Sequence, residues 1–125
     1  MDRSIMIVDD NPEIITLYRS IFQRKGYQVL EALDGAAALR LLEDTIPDIF
    51  VLDIMIPEMN GIELCQRIRA LPGLDQTPVL ILSAYSESGI IEQAFAAGAN
   101  DYLIKPINAR NLEEKVRDML ETARI

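Results

Sequence analysis

Short runs of branched and aliphatic residues alternate along the chain with segments in which apolar residues recur every three or four positions. The runs predict β-strands, and the periodic segments predict α-helices. Most of the runs are apolar throughout, which is typical of a parallel sheet that helices cover on both faces. The predicted strands are residues 5–8, 28–32, 49–52, 79–82 and 102–104.

Asparagines, a proline and glycines mark the ends of five predicted helices. An asparagine side chain can accept a hydrogen bond from a free N–H of the first turn, and proline suits that turn. Glycine adopts the backbone conformation in which many helices end. The expected boundaries are Asn11, Pro12 and Gly26 for the first helix, residues 35 to 45 for the second, Asn60 for the start of the third, Gly98 for the end of the fourth and Asn108 for the start of the fifth.

The helical period also predicts which side chains face the core. One apolar stripe per helix is enough to cover a sheet, so the remaining positions are expected to face solvent. The predicted inward residues are Ile14, Leu17, Tyr18 and Ile21 in the first helix, Leu39 and Leu42 in the second, Leu64, Cys65 and Ile68 in the third, Ile91, Ala94 and Phe95 in the fourth, and Leu112, Val116, Met119 and Leu120 in the fifth.

The order of these elements limits the topology. Right-handed crossovers between about five strand-helix units permit few arrangements, of which the strand order 2-1-3-4-5 is common. No internal repeat, low-complexity segment or linker interrupts the chain. We therefore predict one α/β domain over residues 1–125, a doubly wound five-stranded parallel sheet with about five helices and a flavodoxin-like fold.

Composition limits the classes of function. The chain has 125 residues, 50% of them hydrophobic, which is enough for one core without disulfides or a structural metal. Its net charge of -8 opposes binding to nucleic acid or to anionic membranes. Histidine is absent, which removes the usual general base and the commonest zinc ligand. Any chemistry must therefore use carboxylates, hydroxyls and lysine.

The sequence also favours a soluble cytoplasmic protein. Cys65 is the only cysteine, so an internal disulfide cannot form. No hydrophobic stretch approaches the roughly 18 residues that span a bilayer. Strand-like sequence begins by Ser4, which leaves no room for a signal peptide.

Polar residues stand at the ends of four predicted strands: Asp9 and Asp10 after the first, Asp53 after the third, Ser83 after the fourth and Lys105 after the fifth. In the predicted order these strand ends share one edge of the sheet. Two carboxylates about 5 Å apart repel by roughly 3 kcal/mol at an effective dielectric near 20. One lysine cannot balance three carboxylates, whereas Mg²⁺ binds carboxylate and carbonyl oxygens and leaves room for a phosphoryl oxygen. We therefore expect a site for Mg²⁺ and a phosphoryl group.

Each of these residues also has an ordinary structural explanation. Aspartates favour the positive end of a helix, as Asp9 and Asp10 would, and aspartate is common in turns. Ser83 could cap a helix, and most lysines are solvated surface charges. These explanations do not account for the placement of all five residues at one edge of the sheet.

Four motifs, in order and over essentially the whole chain, resemble the receiver domain of two-component response regulators, of the chemotaxis-regulator type. They are VDDNP at residues 8–12, LDIMIPEMNG at 52–61, SA at 83–84 and DYLIKP at 101–106. The resemblance implies an aspartate phosphorylated by the phosphohistidine of a histidine kinase or histidine phosphotransfer protein, with Mg²⁺ as the required ion. It also implies a downstream effector protein or domain.

The resemblance assigns a role to each residue of the set. The implied roles are phosphoacceptor for Asp53, metal ligand for the carboxylates of Asp10 and Asp53 and for the backbone carbonyl of Met55, metal contact through water for Asp9, phosphoryl contact for Ser83 and Lys105, and conformational switch for Ser83 and Tyr102. The implied output surface is the fourth helix, fifth strand and fifth helix. A cis peptide bond is implied before Pro106.

Other classes fit the residues less well. A phosphatase of the haloacid dehalogenase type needs a second aspartate where Met55 stands. A flavodoxin-like flavin carrier needs a phosphate-binding loop after its first strand, where this chain has acidic residues and Pro12. A P-loop is absent. A receiver excised from a multidomain regulator or hybrid kinase, or a binding module that works without phosphorylation, remains as an alternative to a stand-alone phosphoaccepting domain. We predict a signalling domain rather than an enzyme.

Overall fold

The computed structural model of the protein describes residues 3–123, in which strands and helices alternate strictly. Within this range no helix is long and apolar enough to cross a membrane. The elements are β1 (Ser4–Val8), α1 (Pro12–Arg24), β2 (Gln28–Ala32), α2 (Gly35–Leu41), β3 (Ile49–Asp53), α3 (Gly61–Ala70), β4 (Val79–Ser83), α4 (Ser88–Ala96), β5 (Asp101–Ile104) and α5 (Ala109–Ala123).

The five strands form one parallel sheet in the order β2-β1-β3-β4-β5, which confirms the predicted fold. Side chains alternate between its two faces, so the sheet has two cores. In β3, for example, Phe50 and Leu52 belong to the core beneath α2, α3 and α4, whereas Ile49 and Val51 belong to the core beneath α1 and α5. The central strands are therefore buried on both sides, which explains their apolar runs.

The predicted caps are confirmed. The side chains of Asn11, Asn60 and Asn108 each accept a backbone N–H of the first helical turn that follows, at 2.9, 2.9 and 2.7 Å. Gly26 and Gly98 have positive φ angles of 89° and 111° at the ends of α1 and α4. The asparagine caps set where α1, α3 and α5 begin, and the glycines set where α1 and α4 end.

Three predicted inward residues, Leu17, Ile91 and Phe95, are not part of the cores. Leu17 is 53% exposed, and the core side of α1 is formed instead by Ile15, Tyr18 and Phe22. The helix has apolar residues in two overlapping stripes, and packing on the sheet selects the stripe that contains the large Phe22 ring. Phe95 is 44% exposed because α4 packs on the core through the face that carries Ile90 and Ala94.

The second helix is shorter than predicted. It ends at Leu41, and residues 42–44 form a turn in place of its expected last turn. In this turn the N–H of Glu43 donates to the Arg40 carbonyl and that of Asp44 to the Leu41 carbonyl, both at 3.2 Å, so the hydrogen bonds span three residues as in a 3₁₀-helix. Leu39 and Leu42 nevertheless pack against the core as expected.

One guanidinium joins two loops at the amino-terminal edge of the sheet. Arg69 of α3 donates to the carbonyl oxygens of Leu74 (2.7 Å) and Thr77 (2.6 Å), in the loop before β4. It also donates to the carbonyl of Gly98 (2.7 and 3.1 Å) and to Oδ1 of Asn100 (2.9 Å), in the loop before β5. This cluster, the Arg69 clamp, lies at the opposite end of the sheet from the candidate site.

Candidate functional site at the carboxyl edge of the sheet

The carboxyl ends of four strands bring the predicted residues into one crevice. Asp9 directly follows β1, Asp53 and Ser83 are the last residues of β3 and β4, and Lys105 directly follows β5. Carboxylate oxygens of Asp9, Asp10 and Asp53 all lie within 4.8 Å of one another. The structure thus gathers these residues at one edge of the sheet, as the strand pattern predicts.

The Asp53 carboxylate is held on both oxygens. It is only 5% exposed. Its Oδ2 accepts the Lys105 Nζ at 3.1 Å, and its Oδ1 accepts the backbone N–H of Met55 at 3.2 Å. The hydrogen bond and charge of Asp53 outweigh the effect of burial on the Lys105 ammonium, so the pKa of Lys105 is raised. The peptide bond between Lys105 and Pro106 is cis, which confirms the cis bond that the resemblance to receiver domains implies.

The start of α3 packs directly on the backbone of Asp53. The N–H of Gly61 donates to the Ile54 carbonyl at 3.0 Å. A Cβ atom at Gly61 would lie 2.4 Å from the carbonyl oxygen of Asp53, so only glycine fits here. This close contact fixes the strand end that carries the candidate nucleophile.

Asp9 is a buried carboxyl group beside Asp53 in the crevice. It is 3% exposed, and its Oδ1 accepts the N–H of Asn11 at 2.9 Å. Its Oδ2 is the buried side-chain oxygen that has no hydrogen-bond partner within residues 3–123. The pKa of Asp9 is raised to about 6, mainly by burial and also by the neighbouring Asp53, although the Asn11 hydrogen bond and Lys105 act in the opposite direction. An acidic group left unpartnered beside two more carboxylates fits a hard divalent cation.

Removal of the Asp9 charge is expected to change the pH dependence of stability in metal-free protein. The folded pKa of about 6 exceeds the ordinary value of 3.8, so between these values the folded protein keeps a proton that the unfolded chain releases. Asp9 therefore lowers the free energy of unfolding as the pH rises through this range. Asp9→Asn keeps an oxygen that can accept the Asn11 N–H but cannot ionise.

The check is urea denaturation in the presence of a chelator at several pH values between about 4 and 7. The free energy of unfolding of Asp9→Asn minus that of the wild type should increase with pH and then level off. A difference that stays constant with pH would contradict the raised pKa.

Ser83 and Tyr102 are linked through Tyr85, in the loop between β4 and α4. Ser83 is fully buried, and its Oγ accepts the N–H of Tyr85 at 2.9 Å. The Tyr102 hydroxyl, on β5, donates to the carbonyl oxygen of Tyr85 at 2.8 Å. Tyr102 is partly buried against the core beneath α2, α3 and α4. A movement of Ser83 would therefore disturb the loop to which Tyr102 is bound.

The sequence model of the family described as response regulator receiver domain matches residues 5–117. The chain belongs to this family. It is 36% identical over 125 residues to the alkaline phosphatase synthesis transcriptional regulatory protein PhoP of Bacillus subtilis. The aligned region covers 100% of this chain and 51% of that protein. The receiver domain thus spans about half the length of the curated relatives that it matches.

Solved structures agree with this assignment. A CheY-like receiver domain protein of Methanospirillum hungatei has a TM-score of 0.93 at 27% identity and covers 99% of this chain and 98% of that one. The receiver domain of the sensor histidine kinase PA1611 of Pseudomonas aeruginosa has a TM-score of 0.87 at 29% identity, with coverage of 97% and 98%. That structure holds a magnesium ion in its active-site cleft. The chain is therefore a signalling domain of a two-component system.

The hydrogen bonds of Tyr85 in the receiver domain were not predicted from the sequence. Besides its backbone bonds to Ser83 and Tyr102, its hydroxyl donates to the sulfur of Met55 at 3.2 Å. This contact joins the loop after β3 to the loop after β4 at the mouth of the crevice. Spacing along the chain gives no signal for it, because residues 30 positions apart meet only after the sheet has formed.

Proposed function

We propose that this receiver domain, over residues 1–125, accepts a phosphoryl group on Asp53 from the phosphohistidine of a histidine kinase or histidine phosphotransfer protein. The observation that carries the proposal is the buried Asp53 carboxylate, bound to Lys105 and within 4.8 Å of Asp9 and Asp10. The domain would assist its own phosphorylation and dephosphorylation, without turning over a separate substrate. Cytoplasmic location and absence of nucleic-acid contact by this chain are part of the proposal.

The transfer is a displacement at phosphorus. An Asp53 carboxylate oxygen forms the new O–P bond as the P–N bond to the donor histidine breaks, and the imidazole leaves. A carboxylate is already ionised, so the reaction needs no general base to activate the nucleophile. Lys105, 3.1 Å from Asp53, would neutralise charge on the phosphoryl oxygens, and the Ser83 hydroxyl would bind one of them.

The proposed metal ligands are the carboxylates of Asp10 and Asp53 and the backbone carbonyl of Met55, with Asp9 acting through water. The unpartnered Oδ2 of Asp9 supports this set, as does the Met55 carbonyl, which accepts no hydrogen bond from residues 3–123. When bound, Mg²⁺ supplies positive charge that offsets the negative charge of the transferring group.

Mg²⁺ is expected to raise the melting temperature of the wild-type domain. At a free concentration tenfold above the dissociation constant, binding adds about 1.4 kcal/mol to the free energy of unfolding, which raises the melting temperature of a domain of this size by about 5 °C. Asp10→Asn removes one proposed ligand at an exposed position, so its shift at the same concentration should be much smaller. Differential scanning fluorimetry measures both, and equal shifts would argue against the metal site.

Ser83 and Tyr102 would carry the signal to the output surface of α4, β5 and α5. If Ser83 Oγ turns to a phosphoryl oxygen, it gives up the N–H of Tyr85, and the loop that holds the Tyr102 hydroxyl is released. Phosphorylation would then bias two pre-existing arrangements of this loop. The effector would be a separate protein, or another domain where the receiver is part of a longer protein.

Incubation with Mg²⁺ and acetyl phosphate tests the function. Intact-mass spectrometry should find one added phosphoryl group, and a chelator should suppress it. A protein that remained unmodified while it still bound Mg²⁺ would overturn the proposal and favour a binding module that works without phosphorylation.

A further inference from the structure

The sulfur of Met55 is placed differently from those of the other described methionines. Met55 is 56% exposed, although it lies two residues after the buried Asp53. Met6 is fully buried, and Met59 and Met119 are partly buried against the two cores. Met55 is therefore the largely exposed methionine among residues 3–123, and it lies at the mouth of the candidate site.

That sulfur is also the acceptor in a contact across the mouth. The Tyr85 hydroxyl donates to it at 3.2 Å, from the loop that also binds Ser83 and Tyr102. A thioether is a weak acceptor, so this contact is easily broken. A chemical change at the sulfur would alter how firmly the two loops are held together.

We propose that Met55 is a site of reversible oxidation by hydroperoxides and that its oxidation slows phosphoryl uptake at Asp53. The inference rests on the proposed function. A sulfur lone pair attacks the terminal oxygen of hydrogen peroxide, the O–O bond breaks, and the products are methionine sulfoxide and water. The sulfur loses two electrons, and the peroxide is reduced by them.

The expected consequence follows from the hydrogen bond. A sulfoxide oxygen is polar and accepts a hydrogen bond better than a thioether does, so the Tyr85 hydroxyl binds it more strongly. This stronger hydrogen bond holds the loop after β4 against the loop after β3. It opposes the displacement of Tyr85 that frees Ser83 for the phosphoryl group. It also holds the two side chains together at the entrance to Asp53.

The test treats the whole chain with hydrogen peroxide and follows two readouts. Cleavage after Glu58 separates Met55 from Met59, so peptide mass spectrometry shows which methionine gains oxygen first. We expect Met55 to react before Met59 and Met119. Intact mass then gives the rate of phosphoryl uptake from acetyl phosphate with Mg²⁺, which should fall about fivefold, as one strengthened hydrogen bond would produce.

Each variant is compared with its own untreated sample. Met55→Leu has no sulfur at this position, so peroxide should leave its uptake rate unchanged. Tyr85→Phe should still gain oxygen at Met55, but without the donor hydroxyl its rate should not fall. Treatment of oxidised wild type with methionine sulfoxide reductases should restore the original rate.

Earlier oxidation of Met59 or Met119, or an equal loss of rate in treated Met55→Leu, would overturn the inference. Normal uptake by wild type both before and after complete oxidation of Met55 would overturn this inference alone. Failure of the untreated wild type to take up any phosphoryl group would instead overturn the proposed function, and this inference with it.

Discussion

Asp53→Asn is expected to take up no phosphoryl group from acetyl phosphate under conditions in which the wild type gains one. The substitution replaces a charged carboxylate by a neutral amide, which is a far weaker nucleophile toward phosphorus. It preserves the shape of a side chain that is 5% exposed, and the amide oxygen can still accept from Lys105 or from the N–H of Met55. The loss should therefore be chemical rather than structural.

Intact-mass spectrometry gives the result for Asp53→Asn, and a melting curve shows that the variant is folded. The matched control is Asp75→Asn, which makes the same change at an exposed position in the loop between α3 and β4. This control should be labelled as the wild type is. Labelling that survived in Asp53→Asn would place the phosphoacceptor on another residue and sink the assignment.

Gly61→Ala is expected to lower the free energy of unfolding by about 3 kcal/mol, the upper range for an overpacked site. The added Cβ would lie 2.4 Å from the carbonyl oxygen of Asp53, and 2.9 Å from the carbonyl carbon of Asp53 and from the Cα of Ile54. All three are backbone atoms of the end of β3 and the residue after it, so no side chain can rotate to make room. The helix or the strand end must move, and phosphoryl uptake should fall with the stability.

Urea denaturation measures the loss, with Gly89→Ala as the control. Gly89 also lies in the first turn of a helix, α4, but a Cβ there would meet no atom within 4 Å. Alanine favours the helix and restricts the unfolded chain, so this variant should gain about 0.5 to 1 kcal/mol. A Gly61→Ala protein as stable as the wild type would show that α3 does not need its close approach to Asp53.

The sheet was predictable because its signals are local. Runs such as residues 49–52 and 79–82 are apolar on both faces, as is typical of central strands, and the handedness of crossovers leaves few possible strand orders. The orientation of α1 was not predictable from the sequence. Its apolar residues form two overlapping stripes, and packing on the sheet decides that the stripe with Phe22, rather than the one with Leu17, faces the core. Local periodicity cannot decide between two stripes of similar width.

The candidate site was predictable for a related reason. Parallel strands end at the same edge, so Asp9, Asp53 and Ser83 needed only correct strand ends to be placed together. The unpartnered oxygen of Asp9 and the contact of Tyr85 with Met55 depend on distances between loops. Loop conformations are set by the assembled fold, and a sequence pattern carries no information about those distances.

The Arg69 clamp has a consequence for motion in β4. At the first residue of this strand, Val79 exchanges two hydrogen bonds of 2.8 Å with Asn100, which Arg69 also binds. At the last residue, the Ser83 hydroxyl oxygen accepts the N–H of Tyr85 in the loop that follows. The backbone of β4 is also paired with β3 and β5 along its length, and the Ser83 carbonyl accepts the Lys105 N–H at 2.7 Å. With the strand held at both ends, rotation of the Ser83 side chain leaves the sheet in place and changes the contact with the segment that leads to α4.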